Sequence, residues 1–262
     1  MIYSLPHARR RHLVLRGGGD APAVDISDAT SRLAVTGAPP AAAAGTTIPK
    51  TEERAITLRQ LRAVYAEIER RCEAEQWEGG FKLADGSFET RRLTPETVNL
   101  YHLTELFIKP TTAARRCSYV ELVASAPQPP KWFVSHWWGE PVVLFLRCLE
   151  QHAKDHTKRA GLRQGEVDED TAYWVCAYAN NQHDVGGDVT ADPSESSFVK
   201  AIKLAEGRVV TVLDEKGVSY TRIWCCLEIG CGLGQTDEVY TAREGCEAYD
   251  VSKWGEAIKG AK

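Results

Sequence analysis

From residue 131 onward, short apolar runs alternate with amphipathic stretches, and this alternation restricts the chain to an α/β architecture. Trp132-Phe133-Val134-Ser135-His136, Tyr173-Trp174-Val175-Cys176-Ala177-Tyr178 and Val209-Val210-Thr211-Val212-Leu213 are strand candidates, and Glu238-Val239-Tyr240-Thr241 is a fourth. Between them, Val143, Leu146, Leu149 and Ala153 recur at helical spacing, as do Phe198, Ala201, Ile202 and Ala205. A further helix is expected from about Thr221 to Leu233, and a last one around Trp254. Strands that read as unbroken apolar runs are buried on both faces, so an open parallel sheet with helices on both sides is expected. A fifth strand is missing from the pattern before Lys262.

Two regions precede this alternation. Residues 1–50 are rich in Ala, Gly, Pro, Ser and Thr without a sustained period and read as a disordered leader. Residues 51–130 read as a small helical extension, and residues 131–262 as the α/β domain. In the extension, Thr57 and Gln60 have capping-box spacing ahead of Leu58, Leu61, Tyr65, Ile68 and Cys72, with a stop at Gly79-Gly80. A second helix is expected to open at Thr94-Pro95-Glu96, run through Val98, Leu100, Leu103 and Leu106, and end at Pro110.

The chain has 262 residues, 43% hydrophobic and 26% charged, with a formal net charge of -4, a profile expected of a soluble globular protein without general affinity for nucleic acid. No apolar run approaches the roughly 20 residues that cross a bilayer. The eight cysteines include no CxxC pair, which argues against a disulfide framework or a zinc site. A cytoplasmic location is expected, with an organelle transit peptide as the alternative, because the first nineteen residues are Arg-rich and lack acids.

In open α/β sheets, ligands gather beyond the carboxyl ends of the strands. This rule selects Ser135, His136, Trp137 and Trp138 after the first strand, Asn181, Gln182 and His183 after the second, and Asp214 after the third. The same polar residues also suit turns and helix caps, and the tryptophans also suit the core. Glu228 is a lone carboxylate among apolar neighbours, four residues after Trp224 and so on the same helix face. Such an acid is either a satisfied structural partner, for instance of Arg222, or a functional group.

The segment Ser219-Tyr220 to Trp224-Cys225-Cys226-Leu227-Glu228-Ile229 resembles the S-x-WC-x-x-EL region of Toll/interleukin-1 receptor (TIR) domains. Phe133-Val134-Ser135-His136 is similar to their opening strand, and Tyr173-Trp174-Val175 with Asn181-Gln182-His183 resembles the version found in TIR-like proteins of protists and fungi. The resemblance covers residues 131–241. It implies a flavodoxin-like sheet, homo-oligomeric assembly and, for the enzymatic subset of the family, cleavage of the nicotinamide–ribose bond of NAD, with NAD as substrate rather than cofactor. The family's catalytic glutamate maps onto Glu228, and Ser135, His136, Trp137, Trp138, Asp214 and Trp224 would surround the nucleotide. The chain departs from the family at Trp137-Trp138-Gly139-Glu140-Pro141, where plant receptors carry a charged loop, and at Cys176, where many relatives carry Asp.

Other readings compete. The first is a non-catalytic TIR-like interaction module, in which Glu228 is only a buried acid. The second is a metal-dependent hydrolase using Cys148, His152 and His156, which recur at four-residue steps, or His136 with His183. The third is a cysteine hydrolase pairing Cys225 or Cys226 with His136.

Overall fold

The computed structural model describes residues 45–83, 85–159, 169–184, 195–214, 217–222, 225 and 236–242. Five strands form a mostly parallel sheet: β1 (Ile56–Thr57), β4 (Trp132–His136), β5 (Ala172–Trp174), β6 (Arg208–Asp214) and β7 (Thr236–Ala242). Their spatial order is β1-β5-β4-β6-β7, with β1 antiparallel to β5 and the other pairs parallel. A separate antiparallel hairpin joins β2 (Glu78–Lys82) to β3 (Phe88–Arg92).

The strands alternate their side chains between two apolar layers. On one side, Trp132, Val134, Tyr173, Val210 and Val212 pack with α1 (Leu58–Ala74) and α5 (Val142–Arg159). Phe133, Trp174 and Val209 point the other way and meet Ala201 and Ile202 of the helix Ser197–Leu204. Both layers exclude water, which explains why all five residues of β4 are buried and why its sequence does not alternate.

The region before β4 shares the first of these layers. Leu100–Leu103 (α2), a π turn at Thr104–Ile108 and Lys109–Thr112 (α3) form one continuous helical run, followed by α4 (Tyr119–Val123). Leu100, Leu103, Phe107, Tyr119 and Val120 all join the cluster that holds Tyr178 and Val210.

Several local expectations change. The second helix does not open at Thr94, because Thr97 Oγ1 accepts from the Thr94 N–H and closes a turn there. It opens at Asn99, whose side chain accepts from the His102 N–H while the His102 ring accepts from the Asn99 N–H. Nor does Pro110 end it. The preceding π turn bonds the Lys109 N–H to the Thr104 carbonyl, five residues back, and so widens the helix where proline lacks a donor. The second strand stops at Trp174, and Cys176–Ala179 (α6) turns helical, since its pairing with β4 covers only Tyr173 and Trp174. The hairpin and the antiparallel strand β1 were not expected. Ile48 is fully buried, so the fold begins inside the tract read as leader. The helix expected from about Thr221 to Leu233 does not begin at Thr221, because Val218–Thr221 forms a 3-10 turn and Arg222 is extended. Residues 1–44, the part of that helix over 226–233 and the helix expected around Trp254 lie outside the described residues.

Candidate functional site at the carboxyl edge of the sheet

β4 is the first parallel strand in the chain and lies between the second, β5, and the third, β6. The connection out of β4 runs to β5 on one side and the connection out of β6 runs to β7 on the other, so the divergence falls at the carboxyl ends of β4 and β6, where an open sheet forms a crevice.

The end of β4 is sealed. Ser135 is fully buried, and the side chains of His136 and Glu140 are each 1% exposed. The His136 ring packs on Phe145 at 4.7 Å, and its Nδ1 lies 3.4 Å from Glu140 Oε1. Burial, with a smaller contribution from the Arg222 charge, pushes the His136 pKa down to about 3 against the opposing Trp137 main chain. The imidazole is therefore neutral at neutral pH, and its contact with Glu140 is not an ion pair.

Above this floor the loop carries its two tryptophans half-buried. The Trp137 indole lies against Gly139, where an added Cβ would fall 2.2 Å from the ring and force the indole to move. Trp138 donates from Nε1 to Cys176 Sγ at 3.1 Å and tilts against Tyr101 with ring centroids 5.6 Å apart. The loop is fastened to the start of α2 by the Leu100 N–H on the Trp138 carbonyl and the Val142 N–H on the Val98 carbonyl, at 3.0 and 2.8 Å.

The segment after β6 folds back over the same edge. Asp214 accepts from the Val218 N–H at 2.7 Å, and Gly217 takes a left-handed conformation (φ 61°) to close the turn. Ser219 Oγ donates to the Val212 carbonyl, and Arg222 Nη1 donates to the Tyr101 hydroxyl at 3.1 Å. Cys225, helical and buried, donates its thiol to the His136 carbonyl at 3.6 Å.

Ser135, His136, Trp137, Trp138 and Asp214 thus converge on one edge, with Asp214 serving the turn. Trp224 and Glu228 lie outside the described residues. The Cys225 thiol donates to the main chain of His136, which is not the geometry of a cysteine–histidine nucleophile, and Cys226 lies outside the described residues. Asn181, Gln182 and His183 bond to the carbonyls of Arg116 and Ala177 and to the Thr112 hydroxyl, respectively. His152 shares a hydrogen bond with the Tyr173 hydroxyl at 2.9 Å, and Trp132 packs edge-on against both His152 and His156. Among the described residues no group of three or more His, Cys, Asp or Glu side chains is placed to hold a metal ion, and no helix is long and apolar enough to cross a membrane.

Tyr101 joins the site from outside the expected set, and Glu140, a member of the loop after β4, joins it as the neighbour of His136. Tyr101 carries a faint signal, a ring beside the apolar stripe of Leu100 and Leu103 yet 45% exposed. Glu140 lies four residues after His136, a spacing that brings them together only because the loop turns at Trp137–Glu140. A surface cavity of about 400 Å³ lies elsewhere, between α1 and α5, and none of these residues lines it. Compared with models of known families, with curated proteins and with solved structures, the chain matches none.

Proposed function

We propose that the chain is a TIR-like domain with flavodoxin-like strand order that hydrolyses the nicotinamide–ribose bond of NAD at the carboxyl edge of its sheet. The observation that carries this reading is the contact of Cys225 with the carbonyl of His136. It joins, across 89 residues, the two segments that resemble TIR motifs, and Glu228 follows Cys225 by three positions in the sequence. In the proposed reaction the C1′–N bond breaks and its electron pair leaves with neutral nicotinamide. Water bonds to C1′, and its proton passes to Glu228 or solvent, giving ADP-ribose. A fixed carboxylate stabilises the oxocarbenium-like ribose as it forms, and Trp137 or Trp138 offers a stacking face.

The test is nicotinamide release from NAD by the purified chain in an oligomeric preparation. Release that Glu228→Ala abolishes supports the proposal, and an oligomer that releases none overturns it. A second reading, a non-catalytic module for self-association, is favoured by the sealing of His136 and Glu140 and by the outward exposure of Tyr101 and Tyr220, 45% and 46%. Oligomers that form equally well with Glu228→Ala and never release nicotinamide are its signature.

A further inference from the structure

We propose that Arg222 is the phosphate-binding group of this edge, steadied by Tyr101 and flanked by Trp138, and that it takes a phosphate ester or pyrophosphate. The proposal rests on the nucleotide reading above and deepens it.

Arg222 differs from the other buried or half-buried arginines described. Arg54, Arg62, Arg71 and Arg208 each lie against a carboxylate. Arg222 is half-buried, yet among the described residues no carboxylate pairs with it. Among the described residues its one hydrogen bond goes to a phenol, and the side chains that act on its charge are Tyr101, Cys225 and Cys176, none of them a carboxylate. A guanidinium partly withdrawn from water without a counter-charge is costly, and an incoming anion removes that cost.

The surroundings fit a ligand rather than a core. Tyr101 is largely open to solvent, and its ring meets Trp138 at 5.6 Å. The bond from Nη1 to the phenol fixes the guanidinium and leaves the rest of its donor fork for two oxygens of one phosphate. Neither acid described at this edge competes: Asp214 closes the turn to Val218, and Glu140 is sealed beneath the loop. The position, just after β6 and over the end of β4, is on the edge where an open sheet binds ligands.

The experiment uses the full chain and calorimetric titration with three probes: NAD, nicotinamide riboside, which keeps the scissile bond but has no phosphate, and inorganic pyrophosphate. Arg222→Gln is expected to weaken NAD and pyrophosphate by about tenfold or more, the loss of a charge-assisted hydrogen bond, while riboside changes by less than about twofold. Arg222→Lys falls between. Tyr101→Phe, a change at an exposed hydroxyl that leaves folding intact, weakens the two phosphate probes by about threefold. Equal loss for riboside and NAD, or no loss for either phosphate probe, overturns the proposal even if NAD is still cleaved. Arg222-dependent pyrophosphate binding by a chain that never cleaves NAD upholds the anion site and overturns only the hydrolase reading.

Discussion

At the scale of single residues, the carboxyl edge shows polar groups held by burial rather than by solvent. His136 titrates near 6.5 when unfolded and about 3 when folded, because burial disfavours its charged form. Between those values the unfolded chain binds the extra proton. His136's contribution to stability is therefore intact above about pH 6.5 and is lost progressively as pH falls toward 3. Denaturant unfolding at pH 7, 6 and 5 checks this. His136→Gln, which keeps a polar neighbour for Glu140, is expected to flatten the acid slope, by at most about 1.4 kcal/mol per pH unit. An unchanged slope would contradict a neutral buried ring. That strand β4 ends in functional-looking side chains was legible in Ser135-His136. That His136 is sealed was not, because its neighbours are Phe145 and Glu140 beyond the loop and Cys225, 89 positions later, on its carbonyl.

Elements depend on local chemistry to different degrees. For α1, local signals suffice: Thr57 Oγ1 accepts from the Gln60 N–H, Gln60 Oε1 accepts from the Thr57 N–H, and the apolar stripe that follows is buried. Thr57→Ala is expected to lower stability by about 1 kcal/mol and Thr57→Ser to restore most of it, as measured by denaturant midpoints at constant m. A Thr57→Ala midpoint equal to wild type would show the cap idle. The second helix was misread for a specific reason: its capping box uses the ring of His102 where the usual sequence signature has Glu or Gln. Pro110 misled in the same way, since a π turn leaves no trace in apolar periodicity. The stretch after Trp174 has strand composition yet turns helical, because side-chain pattern carries no information on where a neighbouring strand stops pairing.

For the molecule as a whole, the segment before α1 is the piece whose importance composition hides. An Ala-, Gly- and Pro-rich tract reads as unstructured, but its last residues are bound by long-range contacts. Gly45 runs so close to α4 that a Cβ would fall 2.5 Å from the Glu121 carbonyl, and the Thr46 N–H bonds to the Ala124 carbonyl. Glu121 is buried and accepts from the N–H groups of Ile48 and Ser118 and from the Ser118 hydroxyl, with the Arg54 guanidinium 3.6 Å away. Ala55 bonds to Gln128, and β1 covers the outer edge of β5. Ile48 and Ile56 are both fully buried in the main cluster. Removing everything before Leu58 takes away these two side chains, strands the Glu121 carboxylate and bares a sheet edge. Ile48→Ala alone is expected to cost about 2–5 kcal/mol, the usual penalty for emptying a core site. The truncated chain is expected to associate through the open β5 edge, eluting as polydisperse material in size-exclusion chromatography and losing its cooperative thermal transition. A monodisperse truncated chain that melts with the full-length protein would place the stability of the sheet wholly within the later residues. Glu121→Gln separates the two contributions: its single amide oxygen can accept from Ile48 or from Ser118 but not from both, and the charge beside Arg54 is lost. It should therefore lower stability while leaving the β5 edge paired and the chain monodisperse.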